Sequence, residues 1–175
     1  MDKRTCMEAC LAKLNYRMRT ESELRGAMKG LGYEGDEISE TLEELKSFGY
    51  VDDERYVREF YRTSRRKNWS KNRIVNALRE KGIAASFAKE VLDEFEASSE
   101  FADLGLETDE RAVALEVGEA MASTQISRGK HLDESFLKKV GRRLTSLGYD
   151  PGCCYYVINR LRAGAVENDH PEDDL

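Results

Sequence analysis

With 175 residues, 35% of them charged and 40% apolar, and only two prolines, the chain carries enough apolar material to fold and is biased toward helix. Long strands are not expected, and the lack of any 18-residue apolar run speaks against a membrane-spanning helix. No basic stretch leads into an N-terminal apolar run, so secretion is not predicted and a cytoplasmic location is expected.

A first helix is predicted over about 4–17, holding Cys6 and Cys10. Thr20 with Glu23 has the capping-box spacing and opens a second helix, whose Leu24 and Met28 share a face and which ends at Gly32. Tyr33 then folds back over that end, and Asp36 precedes an Ile38, Leu42, Leu45 stripe. Asp52 and Asp53 suit the start of a helix over 53–67, where adjacent acids act as cap and dipole partner; metal binding is the weaker reading. Ser70 opens a helix carrying Ile74 and Leu78 to Gly82, and Ser86 marks the next, with Leu92 and Phe95. After an acidic, weakly periodic stretch at 97–107 come a helix over 108–124, one carrying Val140 and Leu144 to Gly148, and one opened by Asp150 and Pro151 with Ile158 and Leu161. The acidic end, 163–175, is expected to be a disordered tail.

Those elements repeat. Aligned on Gly32, Gly82 and Gly148, three copies match at six positions, counting the apolar pair before each glycine and Tyr33, Ile83 and Tyr149 after it. The predicted fold is therefore all-α, an elongated array of three tandem three-helix, helix-turn-helix-like repeats with about nine helices. The expected layout is module 1 at 1–50, module 2 at 51–96, a linker at 97–107, module 3 at 108–162 and a tail at 163–175. A compact single-core bundle is the competing arrangement. The four cysteines are expected to be small buried hydrophobes, and their spacing with His131 and His170 suits no metal.

The net charge of −6 conceals a segmented chain. Residues 55–82 hold ten Lys/Arg against Glu59 and Glu80, a local charge of +8, and residues 90–119 hold eleven Asp/Glu against Arg111, a local charge of −10. At 100° per residue, Arg55, Arg58, Arg62, Arg65 and Arg66 fall within about 100° of one another, opposite Tyr56, Val57, Phe60, Tyr61 and Ser64. Lys67, Lys71 and Arg73 extend this basic surface. Guanidinium groups pair with phosphate or carboxylate oxygens, so the eight residues form a candidate site for a polyanion or an acidic protein surface, and the Ser70 helix start offers free N–H groups as an anion site. With Glu59 the one acidic neighbour on the face, like-charge repulsion implies a partner; a solvated face is the plainer alternative. Trp69 is read as a packing anchor ahead of a base-stacking platform. No pattern for nucleophilic, acid–base, nucleotide or metal chemistry occurs, so no catalytic residue, cofactor or metal is expected.

The stretches ThrGluSerGluLeuArg (20–25), LeuGlyTyr (31–33), PheGlyTyrValAspAspGluArgTyr (48–56) and SerLysAsnArgIle with LeuArgGluLysGlyIle (70–83) resemble the signature of the RecX family of recombinase regulators. The similarity is strong over about 4–96 and looser over 109–112 and 147–150. It implies a bacterial cytosolic regulator of tandem three-helix repeats, without catalytic residues, that binds the groove of a RecA filament on single-stranded DNA and usually inhibits it in repair and recombination. A monomer is expected, with weak, sequence-independent DNA binding as a further partner contact. Val57 departs from the small residue the family usually has there, and Ser70 from its frequent glycine. A stand-alone helical DNA-binding protein without a RecA-type partner is the rival reading, and an enzyme a remoter one.

Overall fold

Short polar side chains set where the helices begin. Thr5 and Thr20 each accept a backbone N–H from the residue three on, while Glu8 and Glu23 reach back to the caps, opening α1 (Cys6–Leu14) and α2 (Glu21–Gly30). α3 (Gly35–Ser47) starts from Glu34 without a side-chain cap, so Asp36 lies in its first turn, where its charge still meets the helix dipole. Asp52 accepts the Arg55 N–H at 2.8 Å to open α4 (Asp53–Arg65), and Ser70 accepts the Arg73 N–H at 3.1 Å to open α5 (Lys71–Glu80). α6 (Ala85–Glu96) begins at Ala84, which puts Ser86 inside the helix. A four-residue α7 (Ser99–Ala102) stands in the segment expected as a linker and buries Phe101. Asp109, Asp133 and Asp150 cap α8 (Glu110–Ser127), α9 (Glu134–Leu147) and α10 (Pro151–Asn168). α10 thus runs into the segment expected as the tail.

The computed structural model describes residues 5–168, and among these every regular element is helical, ten helices in all. The rest of the expected tail, 169–175, lies outside the described residues.

The repeat is present in backbone detail. Gly32, Gly82 and Gly148 have φ of +80°, +82° and +92°, the left-handed region that glycine enters without strain. The next residues, Tyr33, Ile83 and Tyr149, donate their N–H groups to Met28, Leu78 and Leu144 carbonyls at 3.3, 3.1 and 3.2 Å. The pairs Leu24 and Met28, Ile74 and Leu78, Val140 and Leu144 are fully buried, as are Leu42 and Leu92. Ile158, expected to match those two, is half-buried, and Val157 takes the fully buried place. The cause is Gly118 on α8. A Cβ there would lie 2.6 Å from Val157 and 3.2 Å from Leu161, so α10 lies close against a residue without a side chain and turns Val157 inward.

The described residues divide into two compact units, 5–63 with 75–100, and 64–74 with 101–168. In the first, α1, α2 and α3 enclose Cys6, Cys10, Leu24, Met28, Ile38, Leu42 and Leu45. Tyr61 meets Phe95 edge-on at 6.3 Å. The Thr20 hydroxyl, besides capping α2, donates to the Lys81 carbonyl at 2.7 Å, and Ser22 packs so closely on Gly82 that no Cβ would fit. In the second unit, α8, α9 and α10 enclose Val113, Val117, Phe136, Val140, Leu144, Val157 and Leu161, with Trp69 packed at the edge. The same joint recurs there: the Ser70 hydroxyl donates to the Gly148 carbonyl at 2.7 Å, and Ser70 and Arg73 crowd Gly148. Thr20 and Ser70 stand at equivalent places before Gly32 and Gly82.

Candidate anionic-partner interface

The eight basic residues picked out by spacing fall into two groups. Arg55, Arg66 and Lys67 are exposed, and their side chains make no ion pair or hydrogen bond among the described residues. Arg55 also lines a shallow depression with Leu14, Met18 and Tyr50, and Tyr50 is 59% exposed. The other five are engaged by the fold. Arg58 pairs with Glu54 and lies 6.0 Å from the Phe95 ring centroid. Arg62 bridges Glu59 at 2.8 Å and Glu100 at 2.6 Å. Arg73 stacks on Trp69, 3.9 Å from the ring centroid, and donates to the Ser146 carbonyl. Lys71 is half-buried, and its backbone N–H donates to Glu110 at 3.1 Å.

Arg65 is a strut. It is 3% exposed and donates to the Glu110 carboxylate at 2.7 Å, the Glu107 carbonyl at 2.6 Å and the Trp69 carbonyl at 3.2 Å. A buried guanidinium needs several acceptors to offset its lost hydration, and three surround it.

The expectation that the arginine arc lacks acidic partners is therefore corrected. Glu54 comes from the same helix, and Glu100 and Glu110 come from the acidic stretch that composition set apart, so that stretch supplies counter-ions to the basic one. The anion site expected at the Ser70 helix start is likewise taken, since the Glu110 carboxylate already receives the Lys71 N–H. Trp69 is a packing anchor, as expected, covered by Arg73. Burial and the charge of Glu110 raise the nearby Tyr149 hydroxyl to about 12, and it donates to the Asn68 carbonyl at 3.0 Å.

A second set of cations lies outside the densest positive run of the sequence. On α9, Lys138, Lys139, Arg142 and Arg143 are all exposed, and none has a side-chain partner among the described residues. The signal was the repeated doublet, Lys138-Lys139 and Arg142-Arg143 four apart, on a helix whose one acid, Glu134, is paired with Arg162 at 3.1 Å.

All four cysteines are buried free thiols, and burial raises Cys10 to about 12 and Cys153 to about 11, which keeps these two protonated at neutral pH. Among the described residues no three His, Cys, Asp or Glu gather in a metal-binding group, and no helix is long and apolar enough to cross a membrane.

Two family models match in sequence order: the first three-helix domain of RecX over residues 6–45 and the second over 52–92. A protein from Clostridium perfringens named regulatory protein RecX is 29% identical over 157 residues, 89% of this chain and 68% of its own. Its namesake from Pelodictyon phaeoclathratiforme is 33% identical over 91 residues, 51% of this chain and 57% of its own. The crystal structure of RecX from Lactobacillus salivarius superposes with a TM-score of 0.67 at 21% identity, covering 90% of this chain and 95% of that one. A second RecX crystal structure does so at 0.64, covering 88% and 71%. With two consecutive RecX domains matched on a helical repeat that solved RecX structures share, the chain belongs to the RecX family.

Proposed function

We propose that this protein is a cytoplasmic regulator that acts by binding and has no catalytic activity of its own. Its target in this reading is a RecA-type recombinase assembled on single-stranded DNA, and binding lowers the recombinase's ATP hydrolysis and strand exchange during repair and recombination. The observation that carries the reading is the ordered pair of RecX domain matches over 6–45 and 52–92, since RecX resemblance is what implies a recombinase target.

Arg55, Arg66 and Lys67 are the contacts offered to that target, because no side chain among the described residues neutralises their charges. Arg55 sits beside exposed Met18 and Tyr50, a cation next to apolar surface of the kind that protein interfaces favour. The engaged arginines serve this surface indirectly, by holding the helices that carry it.

The test is a titration of the full chain into a RecA-type recombinase with single-stranded DNA and ATP, following ATP hydrolysis and strand exchange. Both activities should fall as the protein is added. Arg66→Glu with Lys67→Glu should weaken the effect and leave the melting temperature nearly unchanged. No binding and no change in either activity would refute the reading.

A further inference from the structure

Among the described residues, the four α9 cations are the largest group of exposed positive charges on one helix without side-chain partners. Ser135, Lys138, Gly141, Arg142 and Thr145 line a shallow groove along this helix. The floor is low because Gly141 has no side chain and Ser135 and Thr145 have short ones. From Ser135 to Thr145 the groove runs about 15 Å at the α-helical rise. Lys139 and Arg143 flank it.

The facing side of α10 adds an aromatic ring. Cys154 approaches the Thr145 hydroxyl at 3.9 Å, a Gly141 Cβ would lie 3.3 Å from Ile158, and Arg162 pairs with Glu134, so these three residues mark the side of α10 turned to α9. Val157 and Leu161 point instead to Gly118 of α8, and Tyr156 holds the Arg111 guanidinium 5.4 Å from its ring centroid. Tyr155 follows Cys154 by 100° and lies close in heading to Arg162, which puts it on the outer flank beside α9. It is 68% exposed. Of the nearby carboxylates, Glu134 pairs with Arg162, while Asp133 and Asp150 cap their helices through the Phe136 and Cys153 N–H groups.

We propose that the α9 groove binds the sugar–phosphate backbone of single-stranded nucleic acid, with Lys138, Lys139, Arg142 and Arg143 holding phosphates and Tyr155 stacking on a base. Charge complementarity selects a polyanion, the low floor lets a backbone approach, and an exposed ring beside a cationic track is the arrangement that binds single strands without reading sequence. A protein surface rich in carboxylates would meet the cations equally well but would leave the ring unused.

Binding of a single strand at α9 requires no recombinase, so the test omits one. Fluorescently labelled oligothymidylate and oligouridylate, each of about 20 nucleotides, are titrated with the full chain at several salt concentrations, next to a poly-glutamate peptide of similar charge. Both oligonucleotides should bind, and a preference between them identifies DNA or RNA as the source. Lys138→Glu with Arg142→Glu should weaken binding at least tenfold and flatten the plot of log affinity against log salt by about 1.4, two lost contacts at about 0.7 each. Tyr155→Ala should weaken it about tenfold, and Tyr155→Phe should restore it. All these residues are exposed, and an unchanged melting curve shows that the variants fold. Binding unaffected by the double reversal overturns the proposal, as does poly-glutamate bound as tightly as the oligonucleotides with Tyr155→Ala changing neither, which would make α9 a docking face for acidic protein.

Discussion

Arg65 and Arg66 are neighbours in sequence and alike in chemistry, yet the structure assigns them opposite consequences. Replacing Arg65 by Ala removes the donor to two carbonyls and to Glu110 at once. A hydrogen bond from a charged donor contributes about 1.5–3 kcal/mol, but Glu110 is 35% exposed, so it can recover water and keeps the Lys71 N–H. The Glu107 and Trp69 carbonyls each lose a charged donor as well, and the change should cost about 3 kcal/mol, which for a chain of this size lowers the melting temperature by roughly 6–12 °C. Arg66→Ala removes an exposed side chain with no partner and should stay within about 0.5 kcal/mol. Trp69 is the one tryptophan and belongs to the same unit as Arg65, so its fluorescence during urea or thermal unfolding reports this transition directly. A double-mutant cycle with Glu110→Gln isolates the ion pair from the carbonyl bonds. Equal midpoints for Arg65→Ala and Arg66→Ala would refute the strut assignment and return Arg65 to the exposed face that helical spacing gives it.

Gly148→Ala should destabilise clearly more than Gly32→Ala, because both sites have positive φ but only at Gly148 would a Cβ meet Ser70 and Arg73; comparing urea midpoints of the two variants checks this. Hydrogen bonds from Lys46 and then Arg25 hold the Glu21 carboxyl below its ordinary value, so it contributes stability that is complete above the ordinary glutamate range, about pH 4.3, and is lost as pH falls through its depressed value. Glu21→Gln should therefore be less stable at pH 7 and show a flatter acid limb in unfolding measured from pH 7 to pH 2. Leu42→Ala, in the core of the first unit, should cost on the order of 2–5 kcal/mol by chemical denaturation.

The repeat could be read from residues whose role is set within a few positions along the chain. Gly32, Gly82 and Gly148 each end a helix in the left-handed region, and the apolar pairs before them are buried, because capping and helical periodicity are local. The basic surface was read less well for the converse reason. Periodicity places Arg58, Arg62 and Arg65 on one face but does not say which distant carboxylates the fold brings to them, and Glu100 and Glu110 lie 38 and 45 residues away in sequence. The contrast between the +8 and −10 stretches was itself a hint that they neutralise each other. Ile158 was misplaced because Gly118, on another helix, decides how closely α10 approaches.

The hydroxyl joints carry a consequence for growth by duplication. Thr20 and Ser70 work because an alcohol can accept the N–H of its own helix and still hand a proton to a carbonyl at a left-handed glycine, that of Lys81 just before Gly82 or that of Gly148 itself. At the equivalent helix start in the third copy stands Asp133, which accepts the Phe136 N–H at 2.8 Å but, as a carboxylate, has no proton left to give. A further copy placed there would set its carbonyl against a negative charge. α9 is also 14 residues long where α2 and α5 are 10, which moves its start away from the position the joint requires. One change of cap chemistry and one extra helical turn thus act as a stop signal, and lengthening the array by the same device would require both to be reversed.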